Sequence, residues 1–194
     1  MIVNMRDYSN KNIPVILYLG DNKDNSVGVA LQRHFGNRFN MYICDGELSL
    51  PVVNDIVGKQ QPQIIVGQGI AGNLAIRCDR DEDTDIIVVN PSLSDELYET
   101  PMWKFDTVYA LCSVSSGESY LETIRHDFQG IRLTETDVFN CEMNDDGIVQ
   151  LIALIERVLQ YRERRKKIMT LEEYEEMVRN RPTPDTPSYY SLKV

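Results

Sequence analysis

Val66-Gly67-Gln68-Gly69-Ile70-Ala71-Gly72 is the stretch on which the fold turns. Residues 63–66, just before the first glycine, are a short apolar run that reads as a buried strand. Residues 71–78, just after it, are helical in composition and spacing. The junction carries Gly67, Gly69 and Gly72. Glycine at such a junction marks a backbone that must turn sharply or approach another chain closely.

Working outward, apolar runs and amphipathic stretches alternate. Residues 14–19, 40–44, 85–89, 108–114 and 130–134 read as further strands. Residues 26–35 read as a helix, with Ser26 as N-cap and Gly36 as stop. Residues 50–59 follow with Pro51 in the first turn, and residues 120–128 make another helix. A long helix over residues 145–165 places Ile148, Leu151, Ile152, Ile155, Val158 and Leu159 on one face. Residues 90–106 are less regular and hold the only tryptophan, Trp103. This alternation predicts an α/β three-layer sandwich around a mainly parallel sheet of about six strands. Ligands of such sheets bind beyond the carboxyl ends of the strands.

The chain has 194 residues, which suits one domain over residues 1–165 and a helical C-terminal extension over 166–194. In that extension a capping box at Thr170-Leu171-Glu172-Glu173 opens a short helix to about Asn180. Pro182, Pro184 and Pro187 then exclude regular structure before Tyr189, Tyr190 and Leu192. This reads as a loose tail, or as an arm that docks on the domain or on a second subunit to make a homo-oligomer. The formal net charge of −10 disfavours nucleic acid and anionic membranes as partners. The basic run Arg162–Lys167 suits a helix C-terminus without any partner. There is no signal peptide pattern at residues 1–12 and no membrane span. Cys44, Cys78, Cys112 and Cys141 are widely spaced, so they read as reduced thiols of a cytoplasmic, acidic protein. Asp79–Asp85 imitates a calcium loop, but Thr84 and Asn90 stand where glycine and the bidentate glutamate belong, so no metal is expected.

Two motifs put glycines between a strand and a helix. Gly67, Gly69 and Gly72 match the letters of the dinucleotide-binding turn, Gly-x-Gly-x-x-Gly. That turn normally follows the first strand, and Asn90 stands where a ribose-binding acid would be. The other motif is the nucleophile elbow, Gly-x-Ser-x-Gly, in which Gly67 and Ala71 hold the small-residue positions and Gly69 holds the nucleophile position.

Position in the chain agrees with the elbow. Leu17-Tyr18-Leu19-Gly20-Asp21, the elbow and Val88-Val89-Asn90-Pro91 follow in an order that resembles small single-domain bacterial esterases of the α/β-hydrolase superfamily, from about Pro14 to Leu159. The resemblance implies a catalytic serine at position 69, where this chain has glycine. It implies an acid at Ser115 or Ser116 and a histidine near Phe139, within Thr136–Asn140. The only histidines, His34 and His126, lie in helices away from those turns. A serine without a base is a weak nucleophile, and glycine is none.

The expectation is therefore a pseudoenzyme: a degenerate nucleophile elbow, no catalytic residue and no cofactor. Gly20, Asp21, Gln68, Gly69, Ile70, Asn90, Ser115 and Ser116 are candidates to bind an unknown small molecule or protein. The alternatives are an active esterase with a displaced constellation (Ser115, Ser116, Glu118, Asp137), or a nucleotide or cofactor binder using the amides of residues 67–72. Cys112, within a strand and without a histidine, is not a candidate nucleophile.

Overall fold

Strands buried on both faces are written as unbroken β-branched runs, and the densest of these form the middle of one sheet. The computed structural model describes residues 2–4, 13–20, 26–44, 46–105, 107–128, 130–136 and 145–167. Its strands are β1 (Ile2–Asn4), β2 (Val15–Leu19), β3 (Asn40–Cys44), β4 (Ile64–Gln68), β5 (Asp85–Val89), β6 (Val108–Ser113) and β7 (Arg132–Thr136). They lie in the order β1-β3-β2-β4-β5-β6-β7. Only β1 runs antiparallel, pairing Ile2 with Cys44. The six strands expected from sequence are the parallel six.

The helices are α1 (Ser26–Phe35), α2 (Leu50–Gln60), α3 (Gly69–Arg77), α4 (Asp95–Tyr98), α5 (Glu118–Asp127) and α6 (Asp145–Lys167). One face of the sheet, with Leu17, Leu19, Ile65, Ile86, Val88, Ala110 and Cys112, packs with α2, α3 and α5 into one apolar cluster. The opposite face, with Ile16, Tyr18, Ile43, Val66 and Ile87, is equally buried. There α1 lies so close that a methyl on Gly28 would meet Ile43 Cγ2 at 2.8 Å. Glu156 of α6 joins α1 by accepting from His34 at 3.0 Å and from Arg38. Helices thus cover both faces.

Most element boundaries move by one or two residues from the sequence reading, and three differences have a clear physical reason. The helix α3 starts at Gly69 rather than Ala71, since the glycines that discourage a helix start are needed for the turn. The strand β7 starts at Arg132, because Gly130 sits at φ 106° in the preceding turn. The irregular segment contains α4 and a 3-10 turn, Met102–Phe105. Fully buried Leu97 and Phe105 pin it down, and Phe105 meets Phe128 with ring centroids 5.5 Å apart.

The chain divides into compact units of residues 1–156 and 157–194. The second contains the last turns of α6; the expected short helix and tail lie outside the described residues. Asp21, Asp137, Phe139 and Cys141 also lie outside them. Among the described residues, no helix is long and apolar enough to cross a membrane.

Candidate functional site

The crossover from β2 through α1 goes to one side of β2, and the chain then returns past β2 to enter β4. The connections leaving β2 and β4 therefore pass to opposite faces, and a crevice opens between their carboxyl ends. Leu19 pairs with Gly67, so Gly20 and Gln68 stand side by side at its mouth. The backbone N–H of Gly20 donates to Cys44 O at 2.8 Å, which ties the first loop to the sheet.

The glycine turn occupies the other wall. Gln68 is the last residue of β4 and the N-cap of α3, with extended backbone. Gly69 takes φ 54°, the left-handed region, at the point where strand becomes helix. A methyl on Gly67 would lie 2.7 Å from Gly72 Cα and 2.8 Å from Ala71 O. Gly67 and Gly72 are thus packed against each other. Close strand–helix packing is what small residues at this junction serve, in the elbow and in the dinucleotide turn alike. Ile70 follows in the first helical turn, 65% exposed, and its N–H has no intrahelical acceptor.

Neighbouring strand ends are laced to this turn. The N–H of Ser92 donates to Gly69 O at 3.3 Å. Asn90 follows β5 at φ 42°, and its Oδ1 accepts the N–H of Ser113 at 2.9 Å. Asparagine is among the few side chains that enter this region readily. Ser115 and Ser116 lie in a 3-10 turn, Val114–Ser116, just past β6, with Ser116 exposed. The structure thus gathers Gly20, Gln68, Gly69, Ile70, Asn90, Ser115 and Ser116 on the carboxyl edge of four adjacent strands.

Sequence reasoning missed two residues that shape this edge. Asn73, buried in α3, donates from Nδ2 to Ser92 O at 2.6 Å and to Ser94 Oγ at 3.2 Å. Tyr120 donates its hydroxyl proton to Pro91 O at 2.7 Å. Together they hold residues 91–94 beside the turn. The available signal for Asn73 was a lone amide in an otherwise apolar helix.

Among the described residues, the ionisable groups near this edge are buried or paired. Burial pushes the Cys112 thiol up to about 11, against smaller opposing effects of Tyr120 and the Asn90 backbone, so it stays protonated at neutral pH. Burial likewise raises the Tyr120 phenol. Glu118 is turned to an ion pair with Arg125 at 2.7 Å, and Arg125 also holds Glu135 at 2.5 Å. His34 is occupied with Glu156, far from the turn in the fold.

No family profile matches the sequence, and no curated relative is similar to it. Among solved structures, 17 chains match. A lipase-esterase related protein from Clostridium acetobutylicum superposes with TM-score 0.57 at 9% identity, over 81% of this chain and 98% of its own. An epoxide hydrolase from Bacillus megaterium gives 0.58 at 7% identity, over 82% and 96%. A carboxylesterase of Nitrososphaera gargenis gives 0.57 at 8% identity, over 82% and 95%. At such identities the shared property is the path of the chain.

Proposed function

We propose that this chain, an α/β-hydrolase fold, is a non-catalytic binding protein whose crevice beside the elbow receives a small molecule or a partner protein. The observation that carries the reading is Gly69. It holds the elbow position at φ 54°, while Gly67 and Gly72 preserve the close approach that the turn requires. The scaffold of a nucleophile is present, and the side chain that would attack is not. The acid position falls on serines, and among the described residues the carboxylate that follows them, Glu118, faces Arg125. No cofactor or metal enters this reading. The remaining polar groups of the edge, the Ile70 N–H among them, would orient a ligand without transforming it. The buried Cys44, Cys78 and Cys112 fit a reducing, cytoplasmic setting.

The test is hydrolysis of p-nitrophenyl acetate and butyrate by the full chain, with labelling by a fluorophosphonate probe alongside. Neither turnover above buffer nor labelling is expected. Saturable turnover abolished by Ser115→Ala, Ser116→Ala or Glu118→Gln would overturn the reading and establish a displaced constellation.

A further inference from the structure

The opposite end of the sheet carries a second feature. Residues 78–84 connect α3 to the start of β5, and Trp103 precedes β6, so both lie at the amino ends of the strands. There two cations close the C-terminus of α3. Arg80 donates from Nη1 to Ile76 O at 2.7 Å and from Nη2 to Lys104 O at 2.6 Å. Lys104 donates from Nζ to Arg77 O at 2.6 Å and to Cys78 O at 2.9 Å. Cations are stabilising at this end of a helix, where carbonyls lack partners. Both basic groups are thus committed to the protein's own backbone.

What is left beside them is aromatic and acidic. Trp103 is 58% exposed, unusual for an indole, and Lys104 Nζ lies 5.6 Å from its ring centroid. The side chains of Asp81 and Glu82 are exposed and unpaired among the described residues. With Arg80 and Thr107 these three line a cavity of about 320 Å³. Tryptophan is among the residues enriched as anchors of protein interfaces. Its ring face attracts cations, and carboxylates at the same cavity add to that attraction. An anion would instead meet two carboxylates there and an arginine already bonded elsewhere.

We propose that this cavity docks a basic segment of a partner protein, with a Lys or Arg side chain lying against Trp103 and Asp81 and Glu82 as its counter-ions. The charge of the chain, −10, supports the encounter at long range. This surface is independent of the elbow crevice.

Trp103 is the only tryptophan, so its emission reports on this cavity alone. The experiment titrates the full chain with a fluorescein-labelled Gly-Lys-Arg-Lys-Arg-Gly peptide, following both Trp103 emission and peptide anisotropy. Saturable binding that shifts the emission is expected. It should weaken about tenfold in the Asp81→Asn/Glu82→Gln double variant and in Trp103→Ala, and weaken at about 0.3 M salt, while Glu47→Gln, which removes an exposed acid beyond β3, binds as the parent does. Absence of saturable binding, binding that leaves the emission unmoved, or equal binding by the double variant would overturn the proposal. So would a Trp103 response to inorganic phosphate or to a glutamate-rich peptide in place of the basic one. Asp81 and Glu82 are exposed, so the double variant decides the matter even if Trp103→Ala folds poorly.

Discussion

Replacing Gly67 by alanine tests the elbow geometry most directly. The new methyl would sit 2.7 Å from Gly72 Cα, 2.8 Å from Ala71 O and 2.9 Å from Gly72 N. All three are backbone atoms, so no side chain can swing aside, and the strand must separate from the helix. Overpacking of this kind costs about 1–3 kcal/mol, and a backbone clash belongs at the upper end. For a chain of this size, about 3 kcal/mol lowers Tm by roughly 6–12 °C. Gly72→Ala is the internal control. Its methyl would meet Gly67 O at 3.3 Å and Val88 Cβ at 3.4 Å, a tight but tolerable fit. It also gains up to about 1 kcal/mol of helix propensity, so its net effect should stay within about 1 kcal/mol of zero. The assay is urea unfolding followed by circular dichroism, with thermal melts in parallel. If Gly67→Ala unfolds within about 1 kcal/mol of the parent, or if the two variants lose equal stability, the mutual packing of Gly67 and Gly72 is not what the turn depends on.

Two other outcomes follow from groups already described. Asn90→Ala removes the acceptor of the Ser113 N–H and places a methyl at φ 42°, so it should cost about 2–4 kcal/mol in urea unfolding, while Asn90→Gly, which relieves the backbone but not the lost bond, should cost about 1 kcal/mol less. Burial raises the Cys78 and Cys112 thiols from 9.0 to about 11, so the folded state holds their protons where the unfolded state releases them. That stabilisation is complete below pH 9.0 and is lost as pH rises toward about 11, at about 1.4 kcal/mol per pH unit for each thiol. Urea unfolding at several pH values should show the decline, and a Cys78→Ala/Cys112→Ala variant should keep only what the raised Tyr120 phenol contributes above pH 10.

The sheet was legible because burial on both faces demands apolar residues along the strand, as in Ile86–Val89 of β5. The strand β1 was not, because its three residues offer no period to read and depend on pairing with Tyr42, Ile43 and Cys44. The turn was legible for a steric reason: position 67 has no room for a side chain and must be glycine, and position 72 admits nothing larger than a methyl without displacing its neighbours. The lacing around it was silent. Asn73 to Ser92, Asn90 to Ser113 and Tyr120 to Pro91 are bonds between residues 19 to 29 apart, and such bonds leave no local pattern. The amino-edge cavity was equally hidden, since residues 80–82 and Trp103 come together only through the β5 and β6 crossovers.

The division of helices between the two faces has a consequence for synthesis. The face packed by α2, α3 and α5 can close once the ribosome has released residue 128 or so. The face beneath α1 also waits for α6, whose anchoring residue, Glu156, lies 118 positions after Arg38. At roughly 5–20 residues per second, that interval leaves α1 without this partner for about 6–24 s in every round of translation. The half-covered sheet is then the stage of the molecule's life most exposed to wrong association, and any chaperone that recognises the nascent chain would find its apolar target there.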